Sequence, residues 1–316
     1  MGSQHEVGNE TVVGFDDDAR RLVEKLMGGK NQLQIISVVG MAGLGKTTLV
    51  KKVVNEPSIV YHFHVRAWTT VTQEPKKSDV LLGILKSGFD AGIENCSDME
   101  LSVNLKRRLS GQRYLVVMDD IWDGKDWNDL MLCFPDDNVG SRIIFTSRLA
   151  NLPLQVQYQH PLRFLTEEES WDLLQYKVFL KERCPSSLSE TGFYIARKCQ
   201  GLPLLIVVLA GILASDRGTS WWSQVAQDMS SLASKAPEKY MEALVLSYNH
   251  LPNHLKPCFL YFAAFPEDYE IDTSVEVNFV MGGRGIHQDS KIENQHGGQG
   301  MEFGGGSSRL LEGSDL

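Results

Sequence analysis

Apolar runs bounded by turn residues alternate with helically spaced segments through the first half of the chain. Residues 33–39, 63–71, 114–118 and 143–146 are short, apolar and rich in β-branched side chains, the pattern of buried strands. Between them, residues 49–54, 80–89 and 99–109 place apolar side chains three and four apart, as helices do. That alternation predicts an α/β fold over 1–155, a three-layer arrangement with a parallel sheet covered on both faces. From Thr166 the pattern is helical. Thr166 with Glu169 three residues on is a capping box, and Trp171, Leu174, Val178 and Phe179 follow at helical spacing. Helices are further predicted over 189–198, 203–214 and 221–232, so 156–235 reads as a helical subdomain. A third element, 236–280, carries predicted helices over 240–247 and 256–265. In 281–316 glycine recurs and no amphipathic period survives, so a linker-like, disordered tail is expected.

Candidate chemistry begins at the end of the first strand. Residues 40–48 read Gly-Met-Ala-Gly-Leu-Gly-Lys-Thr-Thr between a predicted strand and a predicted helix, the setting of a phosphate-binding loop. Glycines let the backbone approach an anion closely, and the helix N-terminus adds partial positive charge. Gly40, Gly43, Leu44, Gly45, Lys46, Thr47 and Thr48 are the candidate phosphate-binding residues. Lys46 is the candidate for the β- and γ-phosphates, and the Thr47 hydroxyl for Mg²⁺. The strand 114–118 ends in Asp119-Asp120, and carboxylates at that end of a parallel strand face the ligand crevice. Asp119 is the candidate to hold Mg²⁺, through water or Thr47. Asp120 is the candidate to orient or deprotonate an attacking water. Arg148 ends the strand in Gly140-Ser141-Arg142-Ile143-Ile144-Phe145-Thr146-Ser147-Arg148, where a guanidinium can sense a γ-phosphate. Taken alone, Arg148 reads as a surface arginine, and Arg142, at the other end, as structural.

Composition narrows the partners. The 316 residues are 42% hydrophobic and 22% charged, an ordinary globular balance, and the net charge of −9 argues against broad nucleic-acid or anionic-membrane binding. Cys96, Cys133, Cys184, Cys199 and Cys258 show no zinc spacing and read as reduced thiols of a cytoplasmic protein. No secretory signal is recognisable, and Glu6 stands where a myristoylation pattern wants Ser or Thr. The longest apolar run, 202–213, is too short to span a bilayer.

The ordered motifs at 40–48, Asp119-Asp120-Ile121-Trp122, 140–148, Gly201-Leu202-Pro203-Leu204 and Cys258-Phe259-Leu260-Tyr261-Phe262 resemble the NB-ARC domains of plant nucleotide-binding leucine-rich-repeat immune receptors. Arg66-Ala67-Trp68 and Trp122 resemble the coiled-coil class of that family. The resemblance covers about 10–275. It implies a P-loop NTPase sheet in which the strand carrying Arg148 separates the acidic strand from the phosphate-loop strand, then a helical subdomain and a winged helix, here incomplete. It implies an ADP/ATP switch with Mg²⁺, partnered by other receptors or by a second copy, in plant defence. Val12, Val13 and Gly14 would lie against the adenine, and Pro203 would close over the nucleotide. On its own residues, Pro203 reads as the first position of a helix. The family's Met-His-Asp motif is absent, and neither a coiled coil before residue 10 nor leucine-rich repeats are found, so a truncated form is expected.

Two other classes fit the same residues: a multiple-turnover regulatory ATPase, and an interaction module that engages a full-length receptor without nucleotide. The remaining candidates have plainer readings. Of Trp221-Trp222 one is expected to pack inward. His62 and His64 flank Phe63 on a strand face as structural or surface residues, and Cys258 reads as a small apolar residue. Asp16-Asp17-Asp18 reads as the acidic start of a helix running to Met27.

Overall fold

Among the residues described by the computed structural model (12–72, 75–89, 96–122, 127–149, 155–180, 182–232, 245 and 248–261), five strands form one parallel sheet. They are β1 (Gln34–Val39), β2 (Val65–Thr70), β3 (Tyr114–Ile121), β4 (Arg142–Ser147) and β5 (Tyr158–Pro161). The order β2-β3-β4-β1-β5 puts β4 between the acidic strand and the strand that leads to the phosphate loop, as the resemblance implies. The register aligns Gln34 with Arg142 and Leu115 with Arg142, so β1, β3 and β4 end together.

Strand alternation sends side chains to two faces. Ile36 and Val38, Leu115 and Val117, and Ile144 pack with α1 (Asp16–Met27), α2 (Lys46–Val54) and α3 (Pro57–His62). Ile35, Tyr114, Val116, Met118, Ile143 and Phe145 pack with α4 (Lys77–Phe89), α5 (Asp98–Leu109) and α6 (Trp127–Met131). Because both faces are covered, β3 and β4 are buried along almost their whole length. Each fully buried Val, Leu or Ile contributes roughly 1.5–3 kcal/mol relative to exposure.

The helices α7 (Glu167–Phe179), α8 (Ser186–Lys198), α9 (Pro203–Ala214) and α10 (Thr219–Leu232) form a helical layer after the sheet. Thr166 caps α7 reciprocally with Glu169, and Ser97 caps α5 in the same way with Glu100. One apolar cluster runs from Ile36, Leu115 and Ile144 through Leu174, Ile195 and Leu205 to Trp222. The fully buried Trp222 packs on Phe179, while the half-buried Trp221 stacks edge-on against His250.

Several expectations need correction. The strand expected from Phe63 begins at Val65: His62 ends α3 and Phe63 is a buried linker residue. β5 lies past residue 155, where the alternation fades, because its Tyr-Gln-His-Pro sequence offers no apolar run. The strand expected to end at the carboxylates 119–120 runs one residue further, to Ile121. Asp16–Asp18 do open α1, yet each has a further partner. Asp16 binds Lys52 (2.5 Å) and Asp17 binds Arg20 (2.9 Å). Asp18 is buried, 3.0 Å from His160 Nε2 and 3.4 Å from Arg163. Arg163 also grips Glu169, and that contact, with the backbone bond to Thr166, holds the Glu169 carboxyl below its ordinary range. Cys258 is half-buried on α11 (Lys256–Tyr261), a helix without buried residues. The predicted helix over 240–247, residue 245 apart, and the tail 281–316 lie outside the described residues, as does most of the expected winged-helix element.

Arg142 is the main tie at the lower edge of the sheet. Its guanidinium, 2% exposed as a residue, donates to the carbonyls of Gly28, Lys30, Gln32 and Ser141 at 2.7–3.2 Å. Burial lowers its pKa, and Nε has no partner among the described residues, so the charge is held at a cost. Removing it leaves several carbonyls unsatisfied. Arg142→Ala should therefore destabilise the fold by about 3 kcal/mol, read from the urea midpoint; a loss below about 1 kcal/mol would contradict this role.

Candidate functional site

The loop 40–45 turns β1 into α2 through two left-handed residues, Gly43 (φ 74°) and Gly45 (φ 94°). A side chain is strained at such angles. Both glycines are also closely covered. A Cβ on Gly43 would lie 2.7 Å from Leu204 Cβ, and one on Gly45 would lie 3.2 Å from the Phe15 ring. The Leu204 N–H, at the start of α9, donates to the Gly43 carbonyl (3.2 Å). The loop is thus contacted from α1's entry and from the helical layer. Leu44 is buried with its side chain turned in toward Gly40, so its backbone is what it offers to an anion. Gly45 caps α2, and Lys46, Thr47 and Thr48 form its first turn, Thr48 exposed.

Lys46 is 7% exposed, and its ammonium donates to the carbonyls of Gly40 (2.9 Å) and Met41 (3.1 Å). Burial holds its pKa below the usual lysine value. Asp120 and Asp119 oppose that shift, and Arg148 adds to it. An ammonium desolvated in this way gains more from an incoming anion than one in water.

The second half of the site is a bulge. Met118 pairs with Phe145 and Ile121 with Ser147, so Asp119 and Asp120 of β3 face the single residue Thr146 of β4. Asp120 takes a left-handed backbone (φ 58°) to make the extra residue fit. Thr146, fully buried, joins the two: its hydroxyl donates to Asp119 Oδ1 (2.6 Å) and accepts from the Asp120 N–H (2.7 Å). Thr47, the first-turn hydroxyl of α2, donates to the same Asp119 oxygen (3.0 Å). Burial raises the Asp119 pKa against these hydrogen bonds. Asp120 is 3.3 Å from the Arg148 guanidinium, which lies 4.1 Å from the Trp122 ring centroid.

The structure therefore brings Gly40, Gly43, Leu44, Gly45, Lys46, Thr47, Thr48, Asp119, Asp120 and Arg148 to the carboxyl ends of β1, β3 and β4. Val12, Val13 and Gly14 are half-buried beside this site. Gly14 (φ 78°) lies against Leu165 and Glu169, and Lys52 reaches its carbonyl at 3.5 Å. Pro203 is the first residue of α9, next to the Leu204 contact with the loop. Three contributors lay unassigned in the sequence. Thr146 was readable from alternation, sharing a strand face with Ile144 that looks toward α2. Phe15 and Leu204 were not, since their contacts with the loop are long-range.

The residues fit a magnesium nucleotide. The loop is turned by left-handed glycines that admit no Cβ, and it carries a buried ammonium at its side. Among the described residues no group of three or more His, Cys, Asp or Glu could hold a metal by itself. Thr47 and Asp119 supply two oxygens, and a hard divalent cation would complete its shell with phosphate and water oxygens.

The model of the NB-ARC domain matches residues 15–184. The chain is 39% identical over 302 residues to the disease resistance protein RPP13 of Arabidopsis thaliana, covering 90% of this chain and 35% of that protein. It is 39% identical over 272 residues to the late blight resistance protein R1-A of Solanum demissum, covering 84% of this chain and 21% of that one. The chain thus spans about a third or less of the length of these relatives. Among solved structures it is similar to a Signal Transduction ATPase with Numerous Domains from Pyrococcus horikoshii (TM-score 0.52, 19% identity, 87% of this chain and 37% of that chain). It is also similar to the ORC2 protein of Aeropyrum pernix in its ADP form (TM-score 0.53, 14% identity, 88% of this chain and 95% of that one). At these identities the structural likeness speaks for the fold alone.

Thr146→Val keeps the volume and removes the hydroxyl that satisfies the bulge. It should cost about 1–3 kcal/mol in chemical denaturation, because the part-buried Asp120 N–H is left without its acceptor and Asp119 without a donor. A change below about 0.5 kcal/mol would show that the bulge does not depend on it.

Proposed function

The chain belongs to the NB-ARC domain family, and from that premise we propose that it is an ADP/ATP-binding switch module acting in plant defence. The observation that carries this reading is the hydrogen bond from Leu204 to Gly43, through which the helical layer rests on the phosphate loop itself. Any ligand that changes the loop changes what α9 sits on.

In this reading the loop N–H groups and Lys46 bind the phosphates, and Val12, Val13 and Gly14 lie against the adenine. Pro203 brings the helical layer, α7 to α10, over the nucleotide. Thr47 and Asp119 hold Mg²⁺, which would neutralise phosphate charge. Arg148 distinguishes triphosphate from diphosphate. A ligand moves a conformational equilibrium only by its differential affinity, and Arg148 is the residue that can supply it. Asp120 orients water, but its carboxylate is engaged by Arg148 (3.3 Å), so hydrolysis is slow and serves to reset the switch. The apolar residues Leu204 and Val207 are exposed on α9, which gives surface for association with another receptor or a second copy. No helix among the described residues is long and apolar enough to cross a membrane.

The test is the nucleotide content of the purified chain, released by denaturation and separated by chromatography. Close to one ADP per chain is expected in wild type and none in Lys46→Ala. A soluble wild type without nucleotide would overturn the switch and favour the interaction module. Multiple turnover would favour the regulatory ATPase.

A further inference from the structure

Trp122 follows the acidic pair at the end of β3 and has no place in the scheme above. Its geometry is specific. The Arg148 guanidinium lies 4.1 Å from the centre of its ring, well inside the range of a cation–π contact, while one guanidinium nitrogen is 3.3 Å from Asp120. The cation thus sits over the indole and reaches the carboxylate at the same time. A buried indole N–H ordinarily finds an acceptor, but Trp122 Nε1 is buried with no hydrogen-bond partner among the described residues. What the structure gives for this ring is its face, and Arg148 lies over it.

Arg148 also stands within electrostatic reach of the phosphate loop: it is one of the causes that lower the Lys46 pKa, after burial. An arginine on a strand end carries several rotatable bonds, and fixing it freezes side-chain freedom that an unsupported residue would lose only on binding. The indole and the Asp120 carboxylate fix it beforehand, from two directions.

We propose that Trp122 is a positioning residue for Arg148, holding its guanidinium in one plane beside the phosphate loop so that the chain distinguishes a nucleoside triphosphate from a diphosphate. This rests on the reading of the site as a nucleotide switch. Trp122 itself touches no phosphate, so its effect passes through Arg148 and is confined to the ligand that carries a γ-phosphate.

The test compares ATP and ADP affinities, each with Mg²⁺, by calorimetry on nucleotide-stripped wild type, Trp122→Leu, Trp122→Phe and Arg148→Ala. Trp122→Leu should weaken ATP about three- to thirtyfold and leave ADP unchanged, the range that a cation–π contact covers. Trp122→Phe, a gentler change to packing, should lose less ATP affinity and keep ADP binding, which carries the test if the leucine variant does not fold. Adding Trp122→Leu to Arg148→Ala should change nothing further. Equal weakening of both nucleotides would mark Trp122 as merely structural. An unchanged ratio, or tighter ATP binding in Trp122→Leu, would overturn the proposal. A wild type that binds neither nucleotide would instead overturn the switch reading on which it rests.

Discussion

The backbone of the loop 40–45 is the constraint on which the rest depends. Two left-handed glycines set its turn, and only residues without a Cβ permit the approach of Phe15 on one side and Leu204 on the other. Three parts of the chain therefore meet at a few backbone atoms: the entry to α1, the turn between β1 and α2, and the start of α9. Without the loop's conformation, Leu204 has no carbonyl to bond and the helical layer has no fixed seat. The apolar cluster that runs unbroken from the sheet to Trp222 gives this junction its rigidity, since a close-packed interior passes small displacements on rather than absorbing them.

Across the crevice the bulge in β3 does corresponding work for the acidic half. An extra residue in a parallel ladder leaves backbone groups unpaired, and here Thr146 satisfies the part-buried Asp120 N–H while its own proton goes to Asp119. Asp119 is thereby tied to α2 through Thr47, and Asp120 to β4's end through Arg148. The hydroxyls and carboxylates form one connected chain from the phosphate loop's helix to the arginine. Connected polar groups of this kind are costly when incomplete and specific when satisfied.

Much of this was legible in the sequence. The first four strands and the helix at Pro203–Ala214 follow from apolar runs and from glycine and proline placement, while the place of β4 between β3 and β1 was implied by the family resemblance. The phosphate loop and the acidic pair follow from residue types that have one main use in that order. What was not legible has physical reasons. β5 pairs at the sheet's edge with a polar, proline-ended sequence. Asp18 looks like an ordinary acidic helix start, and only the fold brings His160 and Arg163 to it. The bulge depends on register, which no single strand reports. Phe15 and Leu204 act through contacts distant in sequence, which a local pattern does not carry.

The central claim is that nucleotide at the loop and seating of α9 are one equilibrium. Amide hydrogen exchange over residues 201–206, measured with and without saturating ADP, tests it most directly, because the Leu204 N–H is the bond in question. The account predicts at least about tenfold slower exchange there with ADP, a loss of opening equal to about 1.4 kcal/mol of added local stability. Exchange at 201–206 that is unchanged while the loop 40–48 becomes protected would contradict it, and would mean that the site binds nucleotide without speaking to the helices.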